Sequence, residues 1–244
     1  MSEITARLKS VHLDNERTIW IQRPRQSKTA RGLVVFLDGE FYHQKTKVDA
    51  PAIVAGLEGR MADAWCVYVS MHSMEARARE CPCYPPFATF IVDELLPWLA
   101  KKHPEIASVE RRVLAGLSYT GLAAPFVAMQ YPGAFQAVIA QSGSFWWDDC
   151  HLIKEFDRLS SPLPTAFYLD VGKKETDIDN DEKEPDPKLI QKISQVESAR
   201  RLRDTLLAHG HDVKYVEFDG GHDFKGWKRT LPGALEWALP PGAK

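Results

Sequence analysis

The 244-residue sequence predicts an α/β fold with a mostly parallel central sheet, helices on both faces and an N-terminal antiparallel hairpin. Three observations predict it. Short continuous runs of β-branched and aromatic residues recur, as strands buried on both faces require. Segments with apolar residues at helical spacing lie between them. The two patterns alternate along most of the chain, which is how parallel strands joined by helical crossovers read.

The elements follow in order. TARLKSVHL and RTIWIQR alternate apolar and polar residues around DNE, which predicts the hairpin. GLVVFL is a continuous apolar run, so a buried strand ends in the loop DGEFYH at residue 38; WCVYVSM is a second such run. PPFATFIVDELLPWLAKKHP has apolar residues at helical spacing and prolines suited to a first turn. RRVLAG, QAVIAQS, TAFYLDVG and VKYVEFDG predict four more buried strands. LIQKISQVESARRLRDTLLAHG predicts a helix closed by Gly210. No internal repeat or linker divides the chain, so one domain over residues 1–244 is expected.

Composition narrows the function classes. A formal charge of −2 gives no field to draw nucleic acid or an anionic membrane. No run approaches the ~20 apolar residues of a membrane span, and MSEITARLKSVHL has no apolar leader core. Cys66, Cys81, Cys83 and Cys150 form no C-x-x-C pair, which reads as reduced thiols in a cytoplasmic protein. TDIDNDEKEPDPK opens like a calcium loop, but Glu182 and Lys188 replace the glycine and glutamate such a loop needs. No metal or cofactor is expected; the oligomeric state is left open.

One stretch asks for chemistry. In RRVLAGLSYTGLAA a strand runs into a helix through Gly116, Ser118 and Gly121. Such a turn lifts its central side chain to the carboxyl edge of the sheet and aims the first helical amides at it, where an oxyanion would form. It has the G-x-S-x-G pattern of a nucleophile elbow except that Thr120 replaces the last glycine, with Gly121 placed to relieve crowding between helix and strand. A helix N-cap serine is the alternative, and these five residues leave both open.

A reactive serine needs a base and an orienting acid, in the chain order Ser, acid, His for α/β-hydrolases. VKYVEFDGGHDFKGW puts His222 just past the last predicted strand, and TAFYLDVGKKETD puts Glu175 in the loop after another. Asp177 and Asp179 are the fallback acids, because Asp170 falls within the strand. His12, His103, His209 and His211 read as surface residues, whereas His43, His72 and His151 lie near strand ends where they could line a pocket.

The stretch AGLSYTGLAAPFVAMQYPGAFQAVIAQSGSFWW resembles the enterochelin (siderophore) esterases and the wider esterase family of α/β-hydrolases that includes feruloyl esterases. FLDGEFYH, RARECPCYPPFATFIVDELLPWL and DGGHDFKGWKRTLPGALEW look like further blocks of that family in the same order, spanning about residues 32 to 239. The resemblance implies an α/β-hydrolase fold with Ser118 as nucleophile, His222 as general base and Glu175 as acid. It implies oxyanion donors in the backbone amides of Tyr119 and Glu40. RARECPCYPPF matches a segment that places an arginine, a glutamate and an asparagine beside the substrate in siderophore esterases; Arg77 and Glu80 match, and Tyr84 stands in the asparagine position. Arg77 would suit a carboxylate or phosphate-like group, although an Arg–Glu pair three apart also serves to stabilise a loop. The siderophore esterases carry an N-terminal domain that is not in this sequence, which therefore looks like the catalytic half.

Aromatic residues near the elbow complete the candidate site. Phe41 follows Glu40, and SGSFWWDD puts Phe145, Trp146 and Trp147 at a strand end, where Trp146 and Trp147 could wall a substrate ring or pack as core. Trp227 reads as a helix-start anchor or a neighbour of His222. The expected activity is a serine carboxylic-ester hydrolase acting on a small aryl or siderophore-like ester. An acyltransferase on the same scaffold and a non-catalytic binder with a hydrolase fold are the alternatives.

Overall fold

The computed structural model describes residues 3–24, 32–57, 63–178, 184 and 186–239. Its centre is an eight-stranded sheet in the order β1-β2-β4-β3-β5-β6-β7-β8. β1 (Glu3–Ser10) and β2 (Asn15–Gln22) form the predicted antiparallel hairpin, and β2 joins the sheet antiparallel to β4 (Ala64–Val69) through pairs such as Ile19–Val69. β3 (Gly32–Phe36), β5 (Arg111–Leu117), β6 (Ala137–Gln141), β7 (Ala166–Gly172) and β8 (Val213–Phe218) continue it in parallel.

Both faces are covered, which is why the central strands read as unbroken apolar runs. Side chains alternate across a strand. Leu33 and Val35 therefore enter one core layer while Val34 and Phe36 enter the other. The first layer packs under α6 (Tyr119–Gln130), α7 (Trp147–Asp157) and α8 (Gln195–Ala208); the second packs under α2 (Ala50–Gly56) and α9 (Phe224–Ala238). The short helices α1 (Gly39–His43) and α3 (Met74–Glu80) follow β3 and β4. Five to seven residues are too few for a periodic pattern, so the sequence does not announce them.

Two predicted helices differ in detail. Residues 85–102 form α4 (Pro85–Thr89), a wider π-type turn (Phe90–Leu95) and α5 (Leu96–Lys102) rather than one regular helix. Pro97 has no amide to donate, and the register change comes just ahead of it. The helix expected from residue 189 begins only at Gln195, where the Ser194 hydroxyl accepts the Glu197 amide. That S-x-x-E start was present in the sequence as a capping signal. Gly210 does close the helix, at φ +77°.

Among the histidines, His211 is a correction: it is 5% exposed, with its ring edge-on to Phe156 and Phe167. Burial lowers its pKa and keeps it neutral. Among the described residues no helix is long and apolar enough to cross a membrane.

Candidate active site

The carboxyl edge of the parallel strands gathers the chemistry. Ser118 sits between β5 and α6 with φ 54° and ψ −120°, a backbone conformation that costs a non-glycine residue on the order of 1–3 kcal/mol. Backbone hydrogen bonds hold it there: its amide donates to Gln141 O (2.9 Å), and its carbonyl accepts the amides of Leu122 (3.0 Å) and Ser144 (3.1 Å). Two glycines make the turn possible. A Cβ on Gly116 would stand 2.1 Å from the carbonyl oxygen of Thr120, and one on Gly121 would stand 2.9 Å from Cα of Gly143. Gly121 thus provides the close approach of α6 to the loop after β6, leaving position 120 free to carry a side chain.

The Ser118 hydroxyl makes no capping bond to α6. It points instead at His222, whose Nε2 lies 3.1 Å from Ser118 Oγ. His222 follows β8 and precedes α9, which is capped by Asp223 through the Gly226 amide (2.8 Å). On the other side of the ring, His222 Nδ1 lies 2.6 Å from Glu175 Oε2. Trp227 packs edge-on against the imidazole at 4.9 Å between centroids.

Glu175 is the acid that reaches the ring. Its side chain is 2% exposed, and its second oxygen, Oε1, accepts the Gly172 amide (2.7 Å) and the Ser142 hydroxyl (2.6 Å). Trp227 Nε1 donates to Ser142 Oγ (2.9 Å), which leaves that hydroxyl proton for Glu175. Of the fallback acids, Asp177 lines the same cleft without bonding His222, and Asp179 lies outside the described residues.

Asp170 lies in β7, as expected, and is wholly buried. Its Oδ2 accepts from Gln141 Nε2 (3.3 Å) while Oδ1 has no partner, and burial pushes the carboxyl up to about 7. The folded state therefore holds this proton more tightly than the unfolded chain, so the group's contribution to stability falls as pH rises from about 4 to about 7. Asp170→Asn, which cannot ionise, is expected to gain melting temperature relative to wild type between pH 5 and pH 8. A difference that stays constant across that range would refute the buried titration.

Above the three residues lies a cleft of about 360 Å³, lined by Tyr119, Ser144, Trp146, Lys174, Asp177 and Gln191. Trp146 and Tyr119 set an aromatic side to it, with ring centroids 6.4 Å apart. Trp146 is fixed by a bond from its Nε1 to Gln195 Oε1 (2.7 Å), and Gln195 in turn donates to the carbonyls of Ser142 and Gly143. None of His43, His72 and His151 lines this cleft. Among the described residues no cluster of three or more His, Cys, Asp or Glu could hold a metal ion.

Several residues named as substrate contacts are placed elsewhere. Arg77 and Glu80 do not pair with each other. Arg77 is 6% exposed and forms a bidentate bond to Asp38, with both N–O distances at 2.7 Å. Glu80 is 1% exposed and bonded to Arg17, Asn15 and Arg79. Both charges are matched inside the protein, and neither side chain lines the cleft. Trp147, followed by three successive positive-φ residues, Asp148, Asp149 and Cys150, does not line the cleft and instead lines a separate groove with Tyr84 and Lys188. Phe41 lies between Arg77 and Phe224 and does not line the cleft. The Glu40 side chain accepts the Met71 amide, and burial raises its carboxyl pKa against opposing hydrogen bonds from its own amide and that of Met71. Trp227, expected as a helix-start anchor or a neighbour of His222, packs on the imidazole, whereas Asp38, Thr120, Ser142 and Gln195 are supporting residues to which the sequence assigns no role. Only FLDG and QSGS, which flank the predicted strand ends, carried a signal for two of them.

Residues 10–238 match the family described as "Putative esterase". The chain belongs to this esterase family. Among curated relatives it is 31% identical over 249 residues to an iron(III) enterobactin esterase of Dickeya dadantii, covering 95% of this chain and 53% of that protein. It is 36% identical over 241 residues to the iron(III) enterobactin esterase of Escherichia coli O6:H1, covering 93% and 54%. The chain thus spans about half the length of these relatives. Among solved structures, an enterobactin esterase from Shigella flexneri, determined in the presence of enterobactin, superposes with a TM-score of 0.78 at 25% identity, covering 96% of this chain and 58% of that one. Family membership and this superposition, with the mostly parallel sheet and its antiparallel hairpin, make the architecture an α/β-hydrolase fold.

Proposed function

We propose that the chain is a serine carboxylic-ester hydrolase that works through an acyl-enzyme, on aryl or siderophore-like esters. The observation that carries this reading is the unbroken hydrogen-bonded line from Ser118 Oγ through His222 to buried Glu175, opening into a cleft. In this scheme His222 Nε2 accepts the Ser118 proton as Oγ attacks the ester carbonyl, and Glu175 stabilises the imidazolium while holding its Nδ1–H. The amides of Tyr119 and Glu40 take the developing oxyanion, the second exchanging its own carboxylate for the substrate oxygen. One such donor is worth about 10²–10³ in rate. His222 then gives its proton to the leaving alcohol, and water enters by the same route to release the acid. The aromatic side formed by Tyr119 and Trp146 suits an aryl acyl group, and the enterobactin esterase relatives supply the siderophore-like class.

A fluorophosphonate probe followed by peptide mass mapping tests the nucleophile, and a panel of aryl, hydroxycinnamoyl and catecholate-siderophore esters tests the substrate class. Phosphonylation at Ser118 with turnover of at least one of these ester classes is the expected result. An unlabelled, correctly folded protein that hydrolyses none of them would overturn the proposal.

A further inference from the structure

We propose that Thr120, acting through Asp38, sets the distance between the nucleophile elbow and the loop that supplies the second oxyanion donor, with Arg77 clamping Asp38; the three are positioning residues. The inference rests on the serine-esterase reading above and gives a role to the threonine that replaces the elbow's last glycine.

The backbones of the two loops are tied together as far as Leu37, whose amide donates to Ala115 O at 2.8 Å. Beyond that bond they diverge, and side chains bridge them. Thr120 is fully buried, and its Oγ1 lies 2.8 Å from Asp38 Oδ2 while accepting the Leu117 amide at 2.9 Å. The carbonyl of Leu117 is also 2.8 Å from that hydroxyl, but an ionised carboxylate is the stronger acceptor for its single proton. Asp38 is 1% exposed, so its charge must be matched internally. Arg77 does this through the bidentate pair, and its Nη2 also reaches Leu117 O at 3.3 Å. One carboxylate thereby joins the end of β3, helix α3 and the elbow.

The backbone of Asp38 gives that joint its consequence. Asp38 stands at φ 58° and ψ 50°, and its carbonyl accepts the amides of Phe41 and Tyr42. The amides of Gly39 and Glu40 come before these in α1, at the end of a helix where N–H groups have no intrahelical acceptor. Rotating or withdrawing Asp38 moves the Glu40 amide relative to Tyr119. An oxyanion hole works only with its donors about 2.7–3.1 Å from the oxyanion. An error in this spacing weakens a bond made in the transition state, so it lowers kcat and leaves KM nearly unchanged. Glycine at position 120 has no hydroxyl and cannot make the bridge.

Steady-state hydrolysis of 4-nitrophenyl acetate by wild type, Thr120→Val, Thr120→Ser, Asp38→Asn and the Thr120→Val/Asp38→Asn double variant tests this, with melting curves to establish folding. Thr120→Val and Asp38→Asn are each expected to lower kcat by ~10-fold or more with KM within ~3-fold, and Thr120→Ser to stay within ~3-fold of wild type. The double variant is expected to fall little below the worse single one, because both act through one joint. If the valine variant does not fold, Thr120→Ala removes the same hydroxyl without added bulk and carries the same expectation. A wild-type kcat in Thr120→Val, a serine variant as impaired as the valine one, or losses that multiply in the double variant would each overturn the spacing role while wild type still hydrolyses the ester and is labelled at Ser118. Wild-type protein that does neither overturns the esterase reading, and this inference with it.

Discussion

Ser118→Ala is expected to lose at least ~10³-fold in ester turnover while melting close to wild type. The two halves of that expectation come from different atoms. The bonds that hold the elbow in its positive-φ conformation are made by the Ser118 amide and carbonyl, to Gln141, Leu122 and Ser144. Alanine keeps all three. The hydroxyl contributes the 3.1 Å contact to His222 and no cap to α6. A capping serine would show the opposite pattern, a loss of about 1 kcal/mol in stability with turnover intact. Turnover assays beside thermal melts separate the two. Near-normal hydrolysis by a folded Ser118→Ala protein would remove the nucleophile assignment.

Glu175→Gln is expected to reduce kcat by about 10⁴-fold, the scale seen when a triad acid becomes an amide. The reasoning follows the donors around the carboxylate. On the Oε1 side stand two of them: the Gly172 amide and the Ser142 hydroxyl, whose proton is directed there because Trp227 already donates to its oxygen. A glutamine must therefore turn its carbonyl oxygen toward Gly172 and Ser142, and its NH₂ toward His222 Nδ1. Nδ1 then becomes an acceptor, the ring proton moves to Nε2, and Nε2 can no longer take the Ser118 proton. The tautomer is wrong although the geometry is kept. Phosphonylation by the fluorophosphonate should slow in parallel with ester turnover. Unchanged kcat in Glu175→Gln would show that another acid orients the imidazole. Ser142→Ala should soften the effect by freeing one side of the amide, so Glu175→Gln in that background provides a check on the mechanism.

Much of this molecule was legible from local pattern. Each of the eight strands was marked by an alternating or continuous apolar run, and the elbow by two glycines around a serine between a strand and a helix. The errors cluster where a segment lacked a repeating pattern or where a partner was remote. The apolar spacing from residue 189 resembles a helix, but the Ser194 cap overrides it and α8 starts at Gln195. His211 follows a helix-ending glycine, a context that reads as surface, yet the chain turns it in against Phe156 and Phe167. Arg77 and Glu80 stand one helical turn apart, which reads as a pair; folding gives each a different partner, Asp38 and Arg17.

By itself the sequence determined the order of the strands, the place of the serine and the loop that carries the histidine, because these depend on neighbours within a few residues. Only the tertiary structure decided which carboxylate meets the imidazole, which buried charge answers Arg77, and what Thr120 touches. Those contacts join residues 47, 39 and 82 positions apart. Their partners are chosen by how the loops beyond the strands come together over a finished sheet, and no local periodicity encodes that path.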